Sequence, residues 1–288
     1  MSRHSHVLWQ GSQVLLGQFC VELDDREFHR AGSIGGRPEI AFPHVPVLIH
    51  QEGDAPFVAD PTLAVLYNPY QPFRRSGLSE TGDHCEWLSV DPALLCEASP
   101  RLGDRAERPF RRSHASVEAS AFLLVRRVAH RLASGPADPL WVEEALLHVV
   151  AACVDGRASL QPGAAGGGTP RQREWTLEAK AMLATRLGER VTLTDVARAL
   201  GLSSFYLCRL FLAVSGQTLH AYRTEMRLRT SLFRVLERGD DLTDIALDLG
   251  FSSHSHFTAA FRKRFRITPS RLRAEPGGAV TAPRPSAR

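Results

Sequence analysis

Cysteine is scarce in this 288-residue sequence, and its pattern argues against two kinds of stabilising site. The five cysteines are Cys20, Cys85, Cys96, Cys153 and Cys208. An odd number of widely spaced cysteines without a Cys-x-x-Cys pair disfavours both a disulfide framework and a cysteine-based zinc cluster. We expect reduced and mostly buried thiols, since free cysteine is among the most buried residue types.

Long hydrophobic runs are also absent. No apolar stretch approaches the ~20 residues that span a bilayer, and the N-terminal "MSRHSHVLWQGSQ" lacks the apolar segment of a signal peptide. A hydrophobic content of 43% and a charged content of 23% are typical of a globular protein. These features predict a cytoplasmic protein with no membrane partner.

Basic residues are in deficit over most of the chain and are concentrated towards its end. Residues 1–170 contain 15 Lys and Arg against 20 Asp and Glu, whereas residues 171–288 contain 20 against 11. A basic C-terminal part beside an acidic remainder indicates that a polyanion binds the C-terminal part.

Glycine, proline and the spacing of apolar residues divide the chain. Short apolar runs separated by turn signals fill residues 7–110 and favour a β-barrel or sandwich. Helical spacing follows at 116–133 and 139–155, with apolar stripes that could pack against a second copy or against the barrel. The segment "QPGAAGGGTP" at 161–170 has the composition of a linker, and the chain behind it has mostly helical spacing.

One phrase occurs twice behind the linker. "LTDVARALGLS" begins at Leu193 and "LTDIALDLGFS" begins at Leu242, with seven of eleven positions identical. Each copy predicts a short helix whose first turn is capped, by Thr192 with Asp195 in the first copy and by Asp241 in the second.

Each phrase closes with a glycine that suits the left-handed position after a helix, Gly201 in one copy and Gly250 in the other. A serine then caps a second helix, Ser203 in the first copy and either Ser252 or Ser253 in the second. Helix, glycine turn and capped helix is the pattern of a helix-turn-helix, whose second helix enters the major groove of DNA. One copy could be a structural hairpin, but two copies in a basic region favour DNA binding.

The segment between the copies, "TLHAYRTEMRLRTSLFRVLERG", predicts one helix of about 20 residues, or roughly 30 Å. One turn of B-DNA advances ~34 Å. A rigid connector of this length would place two recognition helices in successive major-groove segments on one side of the duplex.

Residues 191–273 resemble the DNA-binding domain of the AraC/XylS family of bacterial transcription regulators. The resemblance rests on "LTDVARALGLSSFYLCRLF", on "YRTEMRLRTSLFRVL" and, most specifically, on "DIALDLGFSSHSHFTAAFRKRFRITPSRLR". It implies an α+β fold: an N-terminal cupin-like β-barrel with a helical dimerisation hairpin, then a C-terminal all-α domain of seven helices with two helix-turn-helix units. Together with the composition and spacing above, it predicts a cupin-like ligand-sensing domain (1–112), a helical hairpin for dimerisation (113–158), a linker (159–171), the AraC-type DNA-binding domain (172–274) and a disordered tail (275–288).

Mapped by position, the resemblance implies which residues face DNA. They are Ser203, Ser204, Phe205, Cys208 and Arg209 in the first unit, and Ser253, His254, Ser255, His256, Ala259, Arg262 and Lys263 in the second. Arg209 is the best single base reader, because its planar fork can bind guanine O6 and N7 together. Arg262, Lys263 and Arg264 are better placed for phosphates or the domain surface. The apolar face of the two helices should be core: Leu207, Phe211, Phe257, Phe261 and Phe265.

Three positions depart from the family pattern. Cys208 and Ala259 stand where many relatives carry long polar side chains, so base reading should be thin there. Arg266 stands where glycine is common, which predicts a less tightly shaped turn after the last recognition helix.

The same resemblance implies that the N-terminal domain holds a small-molecule effector inside its barrel. The candidate effector residues are Arg37, His44, Tyr67, Tyr70, Arg74, Cys85 and Trp87. Cys85 alternates with Trp87 and Ser89 along a strand, which predicts an inward side chain. A metal-binding cupin is expected to carry a His-x-His pair followed by Glu; before the linker the one such pair, His4 and His6, lacks that Glu. We therefore predict no metal, no other cofactor and no catalytic residue.

Together these features predict a sequence-specific DNA-binding transcription regulator, an activator that responds to an effector, and not an enzyme. The predicted partners are double-stranded promoter or operator DNA, RNA polymerase, a small-molecule effector and a second copy in a homodimer, with a nucleoid-associated location. Two alternatives stay open. One is a DNA-repair alkyl acceptor enzyme with an AraC-like module, which would want clustered cysteines or an activated Cys beside a His. The other is a DNA-binding regulator without an effector, whose β-domain only oligomerises.

Overall fold

The computed structural model describes residues 4–78, 80–98, 108–154, 167–237 and 239–275. The chain has the predicted α+β organisation, with strands and two packed helices first and a helical region behind. The strands are β1 (Ser5–Gln10), β2 (Val14–Val21), β3 (Gly32–Ser33), β4 (Glu39–Pro43), β5 (Val47–Gln51), β6 (Phe57–Ala59), β7 (Leu63–Tyr67), β8 (Pro72–Gly77), β9 (Asp83–Val90) and β10 (His114–Ser116). The helices are α1 (Pro92–Ala98), α2 (Ala119–Ala133), α3 (Pro139–Val154), α4 (Pro170–Thr185), α5 (Leu193–Ala199), α6 (Ser204–Ser215), α7 (Leu219–Glu237), α8 (Leu242–Asp248), α9 (His254–Phe265) and α10 (Pro269–Ala274).

The strands form two antiparallel sheets rather than the closed barrel that the sequence predicted. One sheet has six strands in the order β1-β2-β9-β4-β7-β10, and the other has four in the order β3-β8-β5-β6. The consecutive strands β6 and β7 belong to different sheets, and no ladder joins the two sheets within the described residues. The arrangement is therefore a sandwich with free edges, one of the two all-β layouts that the spacing of the apolar runs allowed.

The inner face of each sheet packs against the other sheet. Period-2 alternation sends Val21 and Cys85 of the large sheet and Ile49 and Phe73 of the small sheet into one buried cluster. Tyr67 lies in the same cluster, with its ring 4.9 Å from that of Phe73. This cluster is the core of the sandwich.

The outer face of the six-stranded sheet is covered by α2 and α3. Its alternate residues, such as Leu16, Ile40 and Leu88, share a core with Phe122 of α2 and Leu146 of α3. The apolar stripes of the helical hairpin are thus buried within this chain, and homodimerisation through the hairpin stays a prediction.

The first helix of the hairpin begins later than the sequence predicted. Residues 114–116 form β10 and pair with β7, so α2 starts at Ala119 and not at 116. The three residues "HAS" are too few to show the alternation of a strand. The strand that they pair with, β7, lies about 50 residues earlier in the chain.

Within the described residues 167–237 and 239–275 there are seven helices, α4 to α10, which is the number that the resemblance implied. They have two separate cores. The first, around Leu207 and Phe211, joins α4, α5, α6 and the start of α7. The second, around Phe257 and Phe261, is continuous with the core that lies between the large sheet and α2.

The predicted capping residues of the two repeats are confirmed. Thr192 and Asp195 form a capping box, and the Asp241 side chain accepts a hydrogen bond from the backbone N–H of Thr243. Ser203 caps α6. The choice left open for the other unit falls on Ser253, which accepts from the backbone N–H of His256. Gly201 and Gly250 have φ of 67° and 78°, the left-handed conformation that glycine adopts without strain.

The looser turn predicted after α9, at Arg266, is not observed. The turn after α9 is as tight as the turn after α6: Arg266 has φ 61° and its N–H bonds to the carbonyl of Arg262, just as Gly216 has φ 74° and bonds to Leu212. Arginine keeps the left-handed turn at a steric cost of about 1–2 kcal/mol.

Arg266→Gly should therefore raise the free energy of unfolding by up to about 1 kcal/mol, because relief of the left-handed strain exceeds the extra chain entropy of glycine. Urea unfolding measures the change. Arg266→Val is the control: a β-branched side chain cannot adopt this conformation cheaply, so it should destabilise. A glycine variant less stable than the parent would show that Arg266 is not strained.

No single helix in the described parts of the chain is long and apolar enough to cross a membrane; one bent pair, α5 with α6, qualifies by length and composition only. The predicted linker and tail fall largely outside the described residues, at 155–166 and 276–288.

Candidate nucleic-acid interface

The first repeat forms a helix-turn-helix. Helices α5 and α6 are bent by 88° relative to each other, close to the ~90–120° of such units. The turn between them is closed by hydrogen bonds from Gly201 N–H to Arg198 O and from Leu202 N–H to Ala197 O, 3.1 and 2.9 Å. Leu207 and Phe211 of α6 are fully buried, as predicted.

The opposite face of α6 is free. Phe205, Cys208 and Arg209 are exposed, and Phe205 is 73% accessible. The Arg209 guanidinium carbon lies 5.8 Å from the centroid of the Phe205 ring, so the ring flanks the predicted base reader. Ser203 and Ser204 lie at the start of the helix, with the Ser203 hydroxyl committed to the cap.

Leu212 extends this face by one turn and was missed by the sequence reasoning. It is 50% exposed and follows Phe205, Cys208 and Arg209 at helical spacing. The same 3-and-4 spacing was the signal that could have found it. An exposed apolar side chain there suits contact with a thymine methyl group.

The second repeat forms the same unit from α8 and α9. Phe257, Phe261 and Phe265 are buried as predicted, while five of the predicted DNA-facing residues on α9 are exposed: Ser255, His256, Ala259, Arg262 and Lys263.

Both histidines of α9 also have partners within their own unit. His256 Nδ1 lies 3.0 Å from the Ser252 hydroxyl, and His254 Nε2 lies 3.4 Å from that of Thr258. His254 is half-buried, so Ser255 and His256 are the more accessible residues at the start of the helix. Arg264 points away from this face and donates to Glu225 of α7 at 2.6 Å.

The connector between the units is a single helix, as predicted. Helix α7 has 19 residues, which corresponds to about 28 Å. Its inward positions Tyr222, Met226, Arg229 and Phe233 follow the 3-and-4 spacing of a buried face. Arginine at the third of these positions is the unusual member.

A set of contacts that we call the interdomain clamp (Asp60, Pro61, Val117, Tyr222 and Arg229) joins this connector to the sandwich. The Tyr222 hydroxyl donates to Asp60 Oδ2 at 2.7 Å. Arg229 donates through Nη1 to the carbonyl of Pro61 at 3.0 Å and through Nη2 to the carbonyl of Val117 at 2.7 Å. Both α7 side chains are buried.

Arg229 also connects the clamp to the second recognition helix. Its Nε donates to Glu225 Oε1 at 2.5 Å, and the other oxygen of that carboxylate accepts from Arg264 of α9. The two arginines lower the pKa of Glu225 against the opposing effect of its burial. A continuous series of hydrogen bonds therefore connects the β6–β7 turn to Arg229 and Glu225 of α7, and from there to α9.

Sequence comparison assigns the chain to a family. The family model for a "Helix-turn-helix domain" matches residues 196–275. The regulatory protein SoxS of Escherichia coli is 38% identical over 78 residues, a segment that covers 27% of this chain and 73% of SoxS. The chain belongs to the AraC/XylS family of transcription regulators.

Two further similarities each cover about a third of this chain. The "Right origin-binding protein" of Escherichia coli is 34% identical over 102 residues, and the alignment spans 35% of this chain and 35% of that protein's own length. A solved AraC-type transcriptional regulator from Chromobacterium violaceum is 28% identical, with 38% of this chain and 98% of that chain covered and a TM-score of 0.35.

The predicted effector residues of this AraC-type chain fall into two groups. Tyr67 and Cys85 lie together in the core between the sheets, and Trp87 packs against them. Burial raises the pKa of both Tyr67 and Cys85 well above their usual values, with Asp83 adding to the effect. The inward side chain predicted for Cys85 is confirmed.

The remaining four candidates are not part of this group. His44 lies on the outer face of the large sheet, and Arg37 lies 3.5 Å from Asp91. Tyr70 and Arg74 are exposed. The sequence could not separate these residues, because which face a loop residue joins depends on strand pairing.

The core between the sheets contains an ion pair that the sequence reasoning missed. Arg75 Nη1 lies 3.2 Å from Asp83 Oδ2, and the guanidinium lies between the rings of Phe19 and Phe73. Both Arg75 Nε and Nη1 are buried without a hydrogen bond. Asp83 is in phase with Cys85 along β9, so the alternation that identified the cysteine also carried this signal.

A second buried charged group, which we call the Glu86 cluster (His44, Glu86, Arg126 and Phe233), lies on the outer face. Fully buried Glu86 accepts from His44 Nε2 at 2.5 Å and from Arg126 of α2. Burial, followed by the charge of Arg126, holds the pKa of His44 well below its usual value, which favours the neutral ring. Burial lowers the pKa of Arg126 to about 9. Phe233 of α7 covers both groups, 3.9 Å from the Arg126 guanidinium carbon.

Proposed function

We propose that this protein is a sequence-specific DNA-binding transcription regulator that inserts α6 and α9 into successive major-groove segments. The observation that carries the proposal is the pair of helix-turn-helix units with free recognition faces, joined by one helix of about 28 Å. That length approaches the ~34 Å repeat of B-DNA. The basic C-terminal charge suits phosphate contacts.

The test is a titration of the full chain against DNA from upstream of its own gene, at several salt concentrations. We expect a complex that resists competitor DNA and weakens as salt rises. Protection of two groove segments about one helical turn apart would support both reading units. Binding that is equally strong to every duplex, or absent, would contradict the proposal.

Two arginines should separate base reading from phosphate binding. Arg209→Ala should cost about 1–3 kcal/mol at one base step and relax specificity there, because its exposed fork can bind one guanine. Arg262→Ala should weaken all sequences similarly and flatten the salt slope. Fluorescence anisotropy with a panel of single-base operator variants measures both effects. Arg198→Ala, which removes an exposed arginine of α5 outside the predicted DNA-facing residues, is the control and should change neither.

If the two variants lose affinity in the same way across the panel, the assigned roles are wrong. Loss of affinity in Arg198→Ala by the same factor would show that net charge alone, and not the face of α6, determines binding.

We also propose that the sandwich binds a small effector beside Tyr67 and Cys85. What supports this placement is Arg75, which lies against Phe73 of the same core: its Nε is buried without a partner, and its Nη1 has only the ion pair with Asp83, with no hydrogen bond. A ligand that accepts hydrogen bonds would satisfy them. Thermal-shift screening of the full chain and of Arg75→Met checks the site: a ligand that stabilises the parent should no longer stabilise the variant.

The clamp supplies the physical link for regulation. Because α7 sets the separation of the two recognition helices, a change in the sandwich that moves the β6–β7 turn would alter how both helices meet DNA. As the family resemblance implies, we propose that the protein works as an activator, contacts RNA polymerase and forms a homodimer.

The alkyl acceptor alternative gains no support from the described cysteines. Cys85 and Cys153 are buried, and burial raises the pKa of Cys153 to about 12. Cys20 has a histidine beside it, but its pKa is raised, first by burial and then by Glu22 and Asp83. A raised pKa disfavours the thiolate that alkyl transfer needs.

A further inference from the structure

Cross-strand pairing brings three metal-binding side chains together at the open end of the large sheet. Cys20 of β2 and His84 of β9 are direct partners across the ladder, so their side chains share the outer face. Glu22 follows Cys20 by two positions and reaches the same side. Its Oε1 lies 3.6 Å from His84 Nε2, and Cys20 Sγ lies 3.2 Å from His84 Nδ1 and 3.8 Å from Nε2.

These separations fit the edges of a tetrahedral site. Zinc bonds of about 2.3 Å to sulfur and about 2.0–2.2 Å to nitrogen and oxygen place neighbouring ligand atoms roughly 3.4–3.6 Å apart. The ligand atoms of Cys20, Glu22 and His84 all lie within 4.8 Å of one another, and within the described residues this is the one group of three or more that does so. Small side-chain rotations would bring the three ligand atoms to the separations of a tetrahedral zinc site.

The surroundings favour a cation that arrives from solvent. Cys20 and Glu22 are exposed and His84 is half-buried, so no part of the fold has to open. An open depression beside the group is lined by Glu22, Asp24 and Glu80, whose carboxylates attract positive charge. The carbonyl of His84 accepts from the His44 N–H at 2.8 Å, which fixes the strand that presents the imidazole.

We propose that Cys20, Glu22 and His84 form a zinc site on the outer face of the sandwich. Thiolate, imidazole and carboxylate together are a ligand set that zinc accepts, while calcium and magnesium prefer oxygen alone. Three protein ligands leave the fourth tetrahedral position open to solvent. Binding releases the thiol proton to solvent and involves no change of oxidation state. The sequence-based prediction of no metal rested on a contiguous His-x-His motif, whereas these ligands come from two strands that are 64 residues apart.

The test uses the full, untagged, reduced chain with Co²⁺ as a spectroscopic probe. We expect one Co²⁺ per chain, a thiolate-to-cobalt charge-transfer band in the near ultraviolet, and loss of that band when Zn²⁺ is added. Cys20→Ser should abolish the band, while His84→Ala and Glu22→Gln should weaken binding at least ~10-fold. Cys96→Ser removes another exposed thiol, on α1, and should leave the titration unchanged.

A second measurement guards against misfolded variants. In the unaltered chain, Zn²⁺ should slow alkylation of Cys20 by iodoacetamide at least ~10-fold without slowing that of Cys96, as read by peptide mass spectrometry. No thiolate band in the parent, a band that persists in Cys20→Ser, or equal alkylation of Cys20 with and without Zn²⁺ would each overturn the proposal. A band lost equally in Cys96→Ser would assign it to non-specific thiol binding.

Discussion

Replacing Arg229 by leucine is expected to lower the free energy of unfolding by about 3–5 kcal/mol, which would be among the largest effects of any single substitution in this chain. Arg229 is 2% exposed and donates to two carbonyls of the sandwich and to Glu225. Leucine fills much of the volume but leaves the carbonyls of Pro61 and Val117 buried without a donor, at about 1–3 kcal/mol each. Urea unfolding of the full chain measures the loss.

Two further variants calibrate this result. Arg198→Leu removes an arginine whose side chain is 77% exposed, and should change stability by no more than about 0.5 kcal/mol. Tyr222→Phe deletes one hydroxyl of the clamp and leaves Asp60 Oδ2 without it, so an intermediate loss of about 1–3 kcal/mol is expected. If Arg229→Leu were as mild as Arg198→Leu, α7 would not be clamped to the sandwich in solution.

Glu86→Leu is expected to have a comparable effect, a loss of about 3–5 kcal/mol. The carboxylate is fully buried, and its removal leaves the buried Arg126 guanidinium facing the neutral ring of His44 and the face of Phe233. Arg126→Met should be similarly harmful, because it isolates the carboxylate instead. Chemical unfolding at pH 7 measures each variant.

The decisive comparison is the double variant Glu86→Leu with Arg126→Met. When both charges are gone no ion is left unpaired, so the double loss should be smaller than either single loss. The half-buried pair Arg37 and Asp91 provides the contrast, since Arg37→Met should cost at most about 1 kcal/mol. Additive losses for Glu86 and Arg126 would contradict the existence of the buried pair.

The C-terminal helices could be predicted from the sequence because their signals are local. Thr192 and Asp195 are three residues apart, Gly201 ends the helix that they begin, and the apolar face of α6 repeats every three or four residues. The same patterns fixed the length of α7. The departure at Arg266 was identified correctly from the sequence, but the looser turn predicted from it was wrong. The backbone adopts the left-handed turn with an arginine at that position.

The contacts that join distant parts of the chain could not be predicted in the same way. Arg229 meets Pro61 across 168 residues, and Cys20 meets His84 across 64. These pairs depend on strand register and on how α7 lies against the sandwich, and neither is encoded in a short window. Short strands with free edges also gave no sequence signal that would separate a sandwich from a closed barrel.

The two helix-turn-helix units differ in which parts of the chain complete their hydrophobic cores, and this difference matters for protein engineering. The unit built on α5 and α6 brings a self-contained interior, whereas the interior behind α8 and α9 is completed by α2. A chimaera that joins residues from 167 onward to a foreign sensor domain would keep the core of the first helix-turn-helix unit intact. The second unit would then expose the apolar surface that α2 covers in this chain. The chimaera should stay soluble and protect both groove segments of DNA only if α2 is included in it.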